Sequence, residues 1–234
     1  MQGDKLIFYL KIKRLIDIIL SLLGLIILSP LFLIVAIAIK IDSPGPAFLK
    51  QKRVGIYKQH FNILKFRSMT KDAPIDIPTH LLENPDQWST KLGKFLRKTS
   101  IDELPQIINI LKGDMSIVGP RPALWNQYDL IAERDKYGAN DVPVGLTGWA
   151  QINGRDELDI ELKARLDGEY AQNISFSLDL KCFFRSFSRV LTADGYSEGE
   201  TELITELDSD MLISEDKEFQ SEEIVDNEKN INHR

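Results

Sequence analysis

The sequence predicts an α+β fold that is mostly helical, joined to a membrane-inserted helix–break–helix hairpin and to amphipathic helices at the membrane interface. Three observations support this prediction: an uncharged run of 22 residues at 18–39, an alternating segment at 60–69, and several segments with apolar residues at helical spacing. Alternation of apolar and polar residues is typical of a strand, whereas apolar residues three or four apart are typical of a helix. We therefore expect a small helical body with few strands beside a membrane anchor.

The charge distribution divides the chain into three parts. Residues 197–234 hold 13 of the 35 acidic residues and three of the 29 basic ones, so the net charge of −6 separates into −10 for this segment and +4 for residues 1–196. An acidic segment with few aromatic residues does not build a packed core. We therefore predict a basic lead with the membrane helix at 1–43, a catalytic body at 44–196 and a flexible acidic tail at 197–234. The mildly basic body suits anionic lipid headgroups and phosphorylated substrates.

The apolar run at 18–39 has an unusual centre. As a helix it would be about 33 Å long, enough to cross a hydrocarbon core of about 30 Å. Ser29-Pro30 lies near its middle, and proline lacks the N–H that would continue the helix, so we expect a kink or a break there. The Ser29 hydroxyl can bind a carbonyl group that the proline leaves free.

The charges on both sides of this run bear on its topology. Basic residues stand before it and after it, at Lys5, Lys11, Lys13, Arg14, Lys40, Lys50, Lys52 and Arg53. Because Lys/Arg-rich flanks stay on the cytoplasmic side, a re-entrant hairpin satisfies both flanks and a straight span does not. The alternatives are a kinked span with weak topological bias and a buried core helix. Arg14 and Asp17 lie three residues apart, so we expect them to neutralise each other on one helix face.

The rest of the body follows from local patterns. Pro44-Gly45-Pro46 ends the membrane helix and an extended segment follows. We predict the remaining elements as a strand at 60–69, a proline-rich segment at 71–88, two helices within 90–114 joined near 98–101, a short strand and rigid loop at 115–122, a helix at 123–138, a Gly-rich loop at 142–155, and helices at 156–173 and 175–191. In the last helix, aromatic residues oppose basic ones, which indicates a helix at the membrane interface, with a core-packing helix as the alternative.

Adjacent acids, Asp102 and Glu103, follow Arg97 and Lys98 closely. One interpretation is structural, since Ser100 and Glu103 have the spacing of a capping box, or Asp102 itself caps the next helix. The second interpretation is chemical, because a carboxylate held beside fixed cations stays ionised and can act as a nucleophile or a magnesium ligand.

Several basic residues could bind phosphate near these acids. Pro120-Arg121-Pro122 fixes an arginine in a stiff loop, and its guanidinium fork matches phosphate oxygens. Lys65 and Arg67 lie two apart on the predicted strand and so share a face. Arg155 ends the Gly-rich segment. Cations, a magnesium ligand and a candidate nucleophile together suggest phosphoryl-type transfer. The sequence contains no Walker, HExxH or GxSxG motif.

The order of these segments resembles the bacterial sugar transferases, the monotopic polyprenyl-phosphate phosphoglycosyl transferases. The resemblance covers roughly residues 10–195 and rests on the Ser-Pro-broken apolar helix, “SPGPAFLKQKRVG”, “FNILKFRSM”, “LRKTSIDELPQIINILKGDMSIVGPRP” and “GLTGWAQINGR”. The acidic tail lies outside it. The chain looks like the small, minimal catalytic form of this family, without the extra multi-helix membrane region of the large members.

The resemblance implies a reaction and roles for particular residues. A sugar-1-phosphate would move from a UDP-sugar to undecaprenyl phosphate with release of UMP, in a ping-pong sequence through a phosphosugar on Asp102. Mg²⁺ would bridge Asp102 and the diphosphate, and Glu103 would act as a base or position the metal. Arg97 and Arg121 match phosphate-binding residues. The other motif members are Lys65, Arg67, Pro120, Pro122 and Arg155.

The resemblance also implies a location and partners. The Ser29-Pro30 helix would be re-entrant, with the catalytic domain on the cytoplasmic face of the bacterial inner membrane and in contact with membrane lipids. Undecaprenyl-linked products begin glycans such as exopolysaccharide, O-antigen or capsule. We expect no nucleic acid partner and leave a homodimer open. The rival class is a membrane-tethered scaffold that recruits partners through its acidic tail and uses Asp102 and Glu103 only as a helix cap.

Overall fold

The computed structural model of the chain describes residues 2–77, 82, 84–154 and 158–192. In chain order its elements are α1 (Gln2–Asp42), β1 (Phe48–Val54), β2 (His60–Phe66), α2 (Pro85–Trp88), α3 (Lys91–Lys98), α4 (Gln106–Lys112), β3 (Ser116–Val118), α5 (Tyr128–Asp135), β4 (Gly145–Thr147), α6 (Trp149–Asn153), α7 (Ile160–Gln172) and α8 (Phe176–Thr192). The mostly helical α+β prediction is thereby confirmed. The predicted acidic tail and Arg155 lie outside the described residues.

Helix α1 passes through Pro30 without interruption. A proline at this position cannot donate to the carbonyl of Ile26, four residues earlier. The Ser29 hydroxyl donates to that carbonyl instead, at 2.9 Å, as the sequence predicts. The bond compensates the lost donor, and of the two predicted outcomes, a kink or a break, the break does not occur because the helix continues through Pro30. The re-entrant arrangement therefore stays a prediction.

Most of α1 faces outward with apolar side chains. Its segment Leu6–Asp42 is long and apolar enough to cross a membrane, and 11% of its most apolar window is buried by the protein. The exposed large residues include Ile19, Leu22, Leu23, Ile26, Ile27, Leu33 and Ile34. An apolar surface of this extent needs a cover other than water. Burial so slight argues against an ordinary core helix and favours a membrane-associated role for α1.

The second half of α1 packs on the β1–β2 hairpin and on α3. Val35 and Ile39 form a buried cluster with Phe66 and neighbouring apolar residues. The Phe32 ring meets the Phe66 ring edge-on, with centroids 5.4 Å apart. β1 and β2 pair antiparallel from Phe48 with Phe66 to the turn.

The first half of α1 is attached by polar contacts. Arg14 donates to the carbonyl oxygens of Ile110 and Leu111 at 2.6 and 2.9 Å, where α4 ends. Asp17 accepts a hydrogen bond from the Ile117 N–H at 3.0 Å. Arg14 and Asp17 therefore do not bond to each other, and the charge of Arg14 makes only a minor contribution at Asp17. The carbonyl oxygens at the end of α4 and the N–H of a strand residue are away from water. Leaving them without a hydrogen bond would cost more free energy than separating the two charges.

A buried cluster also ties α1 to α8. The Lys13 ammonium lies 2.5 Å from the Asp179 carboxylate. Tyr9 and Tyr170 each donate a hydroxyl hydrogen bond to the same carboxylate, at 2.7 Å. Cys182, one turn further along α8, is buried. Four other side chains of α8 are exposed: Phe176, Leu180, Phe183 and Phe184. This apolar face is compatible with the predicted interfacial helix and does not by itself confirm it.

Strands β3 and β4 pair parallel, with Val118 beside Thr147. The prediction of a loop for 142–155 is therefore wrong, since this segment contains both β4 and α6. The glycines that suggested a loop serve close backbone packing instead. A Cβ built on Gly145 would lie 2.1 Å from the Gly119 nitrogen, and one on Gly148 would lie 2.1 Å from the Gly119 oxygen. Glycine at these positions lets the chain return directly alongside β3.

Candidate active site

Asp102 and Glu103 lie in a short 3₁₀ turn, Ile101–Glu103, between α3 and α4. Ser100 precedes this turn in the left-handed conformation, with φ at 56°, and its side chain accepts no capping hydrogen bond. The N-cap of α4 is Pro105, again without a side-chain cap. Both capping interpretations are therefore wrong. An N-cap residue is normally extended, and the left-handed turn at Ser100 replaces that geometry.

Glu103 holds two cations at once. Its Oε1 lies 2.8 Å from the Lys65 ammonium and 2.5 Å from Arg121 Nη2, and its Oε2 accepts from Arg121 Nη1 at 3.2 Å. Burial alone would raise the pKa of Glu103, but the charges and hydrogen bonds of Arg121 and Lys65 outweigh it and hold that pKa well below its ordinary value. We call Lys65, Glu103 and Arg121 the open cluster, because all three remain partly exposed.

The surroundings of Asp102 differ from those of Glu103. It is 7% exposed, and within the described part of the chain no group donates a hydrogen bond to its carboxylate. Burial raises its pKa to about 6; the positive charge of Lys65 opposes this rise, the negative charge of Glu103 adds to it, and Arg121 and Arg97 oppose it further. Of the two adjacent acids, Glu103 accepts from cations at both oxygens, whereas Asp102 accepts no hydrogen bond from the described residues.

The Pro120-Arg121-Pro122 segment is held by its backbone. The Pro120 carbonyl accepts from the Gly145 N–H at 2.8 Å. The Arg121 carbonyl accepts from Arg134 Nη2, and the Pro122 carbonyl from Arg53 Nη1, each at 3.0 Å. Three consecutive carbonyls with partners fix the loop that carries the Arg121 side chain. The predicted stiffness of this segment thus comes from these bonds as well as from its prolines.

Asn109 attaches α4 to the strand that carries Lys65. Its Oδ1 accepts from the Leu64 N–H at 2.9 Å, and its Nδ2 donates to the Asn62 carbonyl at 2.8 Å. The side chain thereby replaces a neighbouring strand at the edge of β2. This contact fixes the position of Lys65 relative to the turn that carries Glu103.

The other predicted basic residues differ in their relation to the acids: the charge of Arg97 acts on Asp102, whereas Arg67 binds elsewhere. Arg97 lies in the last turn of α3, where it donates to the Ser89 hydroxyl. Arg67 follows the end of β2 and donates to the Ser43 and Pro44 carbonyls at 2.7 and 2.8 Å, in the loop after α1. Lys65 and Arg67 therefore do not act on one ligand face. Arg155 lies outside the described residues, so its predicted phosphate contact stays a prediction.

Four residues of this site were not found from the sequence: Asn109, Arg53, Arg134 and Asp167. Each acts through a partner distant in the chain, as in the Arg134–Asp167 pair, which spans 33 positions. No local spacing marks such residues. Three of them carry a weaker signal. Asn109, Arg134 and Asp167 are polar or charged residues that the helical pattern of α4, α5 and α7 places among apolar ones.

The site suits magnesium only when substrate phosphates supply further ligands to the metal. Among the described residues there is no group of three or more side chains suited to hold a metal ion. Glu103 already accepts three of the roughly four hydrogen bonds that its carboxylate can take, so Asp102 offers the more open carboxylate of the two. Mg²⁺ is commonly bound through one or two carboxylates together with substrate phosphates. The donor set therefore suits a metal that arrives with a diphosphate.

Comparison with known proteins adds independent evidence. The family described as “Bacterial sugar transferase” matches residues 8–193. The uncharacterized sugar transferase EpsL of Bacillus subtilis is 40% identical over 80% of this chain and 91% of its own length. The Escherichia coli UDP-glucose:undecaprenyl-phosphate glucose-1-phosphate transferase is 42% identical over 74% of this chain and 39% of its own.

An Aeromonas hydrophila protein named as a UDP-N-acetylgalactosamine-undecaprenyl-phosphate N-acetylgalactosaminephosphotransferase is 38% identical over 80% of this chain and 45% of its own length. The chain thus spans nearly all of one relative and less than half of the two whose substrates are named. The residues that form the site geometry, from Lys65 to Asp167, all lie within the matched region.

Proposed function

The chain belongs to the bacterial sugar transferase family, and we propose that it transfers a sugar-1-phosphate from a UDP-sugar to undecaprenyl phosphate, releasing UMP. One observation carries this proposal: the buried carboxylate of Asp102, which accepts no hydrogen bond from the described residues, stands directly beside a set of cations held in place by Glu103. Phosphoryl transfer needs a nucleophile and fixed positive charge at the same point. The named relatives support the two substrates.

The proposed reaction has two displacements at one phosphorus atom. An Asp102 oxygen attacks the phosphorus that bears the sugar, and the bond from that phosphorus to the UMP oxygen breaks, with its electron pair leaving on UMP. The phosphosugar is then an acyl phosphate on Asp102. An oxygen of the lipid phosphate attacks the same phosphorus, and Asp102 leaves as a carboxylate. Magnesium, when bound, supplies neutralisation of the charge on the diphosphate.

The ionisation of Asp102 suits a nucleophile. With a pKa of about 6, raised chiefly by burial, the carboxylate is mostly ionised near neutral pH and is less stabilised than a carboxylate in water. A partner that bound both oxygens would lower its reactivity, and none of the described residues does so. These two properties favour Asp102 over Glu103 as the group that bonds to phosphorus.

For Glu103 we propose a positioning role. A general base or a metal ligand needs a free acceptor site, but Lys65 and Arg121 already occupy three of the roughly four acceptor sites of the Glu103 carboxylate, two on Oε1 and one on Oε2. The pKa of Glu103, well below its ordinary value, also makes it a weak base. Glu103 therefore orients two cations whose remaining N–H groups can bind phosphate oxygens.

We also propose that α1 is re-entrant and that the catalytic body lies on the cytoplasmic face of the membrane. Contacts to the body come from both halves of α1, at Arg14 and at Ile39. These positions lie about 37 Å apart along a straight helix, more than the hydrocarbon thickness of about 30 Å. A simple span would carry one contact region across the membrane, away from a soluble body. A kink at Pro30 would let both regions stay with it.

Thiol labelling tests this topology. We would introduce cysteine at Gly3→Cys and, separately, at Pro46→Cys, and we expect both to resist a membrane-impermeant reagent applied from the periplasm. Gly45 is unsuitable because it has φ at 124° and a Cβ there would lie 2.0 Å from Arg67 Nη1. Labelling of one position but not the other would show that α1 spans the membrane.

One part of the rival scaffold hypothesis is wrong, because Asp102 and Glu103 cap no helix. The direct test is UMP release from a panel of UDP-sugars, measured with and without undecaprenyl phosphate and Mg²⁺. We expect release with one or a few donors and none from the Asp102→Ala variant. If no donor releases UMP from folded wild-type protein, the proposed function is wrong.

A further inference from the structure

We propose that Arg134 and Asp167 are positioning residues for the sugar-phosphate transfer, because together they fix the backbone from which Arg121 reaches Glu103. This inference rests on the proposed function. Neither residue belongs to the motifs that suggested the chemistry, and neither touches the acids at 102 and 103.

The pair lies in the protein interior, between two helices. Arg134 on α5 is 3% exposed and Asp167 on α7 is 1% exposed. Arg134 donates from Nε and from Nη2 to the same Asp167 oxygen, at 2.9 and 2.5 Å. Arg134 Nη2 also donates a hydrogen bond outside the pair, to the Arg121 carbonyl oxygen at 3.0 Å. Asp167 thus orients the Arg134 guanidinium, which in turn binds the backbone of the Pro120-Arg121-Pro122 segment.

Arg121 is therefore fixed at two points. Its carbonyl is bound from the interior by Arg134, and its guanidinium is bound at the site by Glu103. Its neighbours Pro120 and Pro122 are held by the Gly145 N–H and by Arg53. Without Arg134, the central carbonyl of this segment would lose its partner. A guanidinium fixed before the substrate arrives has less freedom to lose on binding it.

The packing around the pair keeps this contact in place. Ala123, next to the loop, forms a buried cluster with Leu130 of α5 and Ala164 of α7. A Cβ built on Gly168 would lie 2.3 Å from the Tyr137 Cβ, so the chain segments around the pair approach closely. The loop and both helices therefore form one packed unit, and Arg134 provides its polar contact with the Arg121 backbone.

A purely structural role is the competing explanation, and energetics allow a test that separates the two. Replacement of a buried ion pair by apolar residues of similar volume is often neutral or stabilising, whereas removal of one partner alone is strongly destabilising. The double variant Arg134→Met/Asp167→Leu should therefore fold, with a melting temperature near that of the wild type. It lacks the donor to the Arg121 carbonyl.

The first measurement does not depend on activity. Hydrogen exchange is followed in the wild type, in Arg134→Met/Asp167→Leu and in the control Lys58→Met, which removes an exposed ion pair with Asp135 at the end of α5. We expect faster exchange at residues 119–127 in the double variant only, with α7 unchanged. Unaltered exchange at 119–127 in a folded double variant would overturn the proposal, even if the wild type released no UMP.

The second measurement is a double-mutant cycle on UMP release. Misplacement of a binding group by about 1 Å can lower turnover about 100-fold, so we expect the double variant to raise KM for the donor and lower kcat/KM about 10- to 100-fold. In an Arg121→Ala background the same two substitutions should change kcat/KM less than about twofold, since independent sites add and coupled sites do not.

The same cycle distinguishes failure of this inference from failure of the proposed function. An equal loss with and without Arg121 would show that Arg134 and Asp167 act on the fold and not through Arg121, and the inference would be wrong while the proposed function stood. Absence of UMP release from the wild type would instead overturn the proposed function. The conservative variant Arg134→Lys should keep part of the kcat/KM that the double variant loses. Lysine retains a positive charge beside Asp167, although it has only one nitrogen that can donate hydrogen bonds.

Discussion

The open cluster and the Arg134–Asp167 pair contain the same kinds of charged group but differ in access to solvent. The side chains of Lys65, Glu103 and Arg121 are 14%, 20% and 34% exposed, whereas Arg134 and Asp167 are almost completely buried. A partly exposed cation can add a bond to an incoming phosphate while it keeps its carboxylate partner. A buried one cannot reach a ligand.

This difference separates two uses of charge within one site. In the open cluster, Glu103 keeps two partly exposed cations in place. In the buried pair, Asp167 orients a guanidinium toward a backbone carbonyl. Asp102 lies beside the open cluster and has no described hydrogen-bond partner. Binding, positioning and bond formation are thus assigned to different residues.

The largest effect should come from Asp102→Asn, which keeps the shape of the side chain and removes the nucleophile. We expect UMP release to fall by at least about 1,000-fold, as for other catalytic nucleophiles, with little change in melting temperature. The matched control is Asp135→Asn, an exposed acid on α5, which should retain near wild-type rates. Substantial residual turnover in Asp102→Asn would remove Asp102 from the nucleophile role.

The next largest effect should come from Glu103→Gln. The amide cannot hold two cations as a carboxylate does, so we expect kcat/KM to fall about 100-fold through misplaced Lys65 and Arg121. The melting temperature should change little, because the cluster is partly exposed. Wild-type kcat/KM in Glu103→Gln would show that the open cluster does not depend on Glu103.

The pH dependence should separate the two acids. Because the Asp102 pKa is raised to about 6, kcat/KM for UMP release should fall about tenfold per pH unit below about pH 6, where the carboxylate becomes protonated. The negative charge of Glu103 contributes to that raised pKa, so Glu103→Gln should move the acid limb to lower pH. A limb that stays in place, or moves upward, would contradict this electrostatic assignment.

Ionic strength should give the smallest effect and still distinguish the two regions. Between about 0.05 and 0.5 M NaCl, KM for the donor should rise severalfold, because screening acts on accessible charges. The exchange protection of residues 119–127, which depends on the buried pair, should stay nearly constant. Salt-dependent protection at 119–127 would show that the Arg134–Asp167 pair is less enclosed than the structure indicates.

The sequence predicted the parts of the site that depend on motifs and local patterns. Strand β2, the turn between α3 and α4, and the proximity of Lys65 and Arg121 to the acids all follow from its motifs and their order. The Gly-rich segment was misjudged, because a sequence does not tell whether Gly145 serves a flexible loop or close strand packing. Arg14 and Asp17 do not bond to each other, because both side chains bind backbone groups of distant elements.

Arg67 illustrates the remaining limit. Its spacing from Lys65 placed both on one face, but β2 ends at Phe66 and the Arg67 guanidinium turns to the Ser43 and Pro44 carbonyls. Arg134 and Asp167 carried no local signal, since their relation depends on α5 packing against α7. Long-range polar contacts of this kind depend on the finished fold and are not encoded in spacing.

The central claim is that Asp102 carries the phosphosugar between the two substrates. Purified protein would be incubated with its UDP-sugar and Mg²⁺ in the absence of lipid acceptor, quenched in acid and examined by intact-mass and peptide mass spectrometry. We predict an added mass of one sugar phosphate on the peptide containing Asp102, lost again when undecaprenyl phosphate is supplied. UMP release without any adduct at Asp102 would contradict the account.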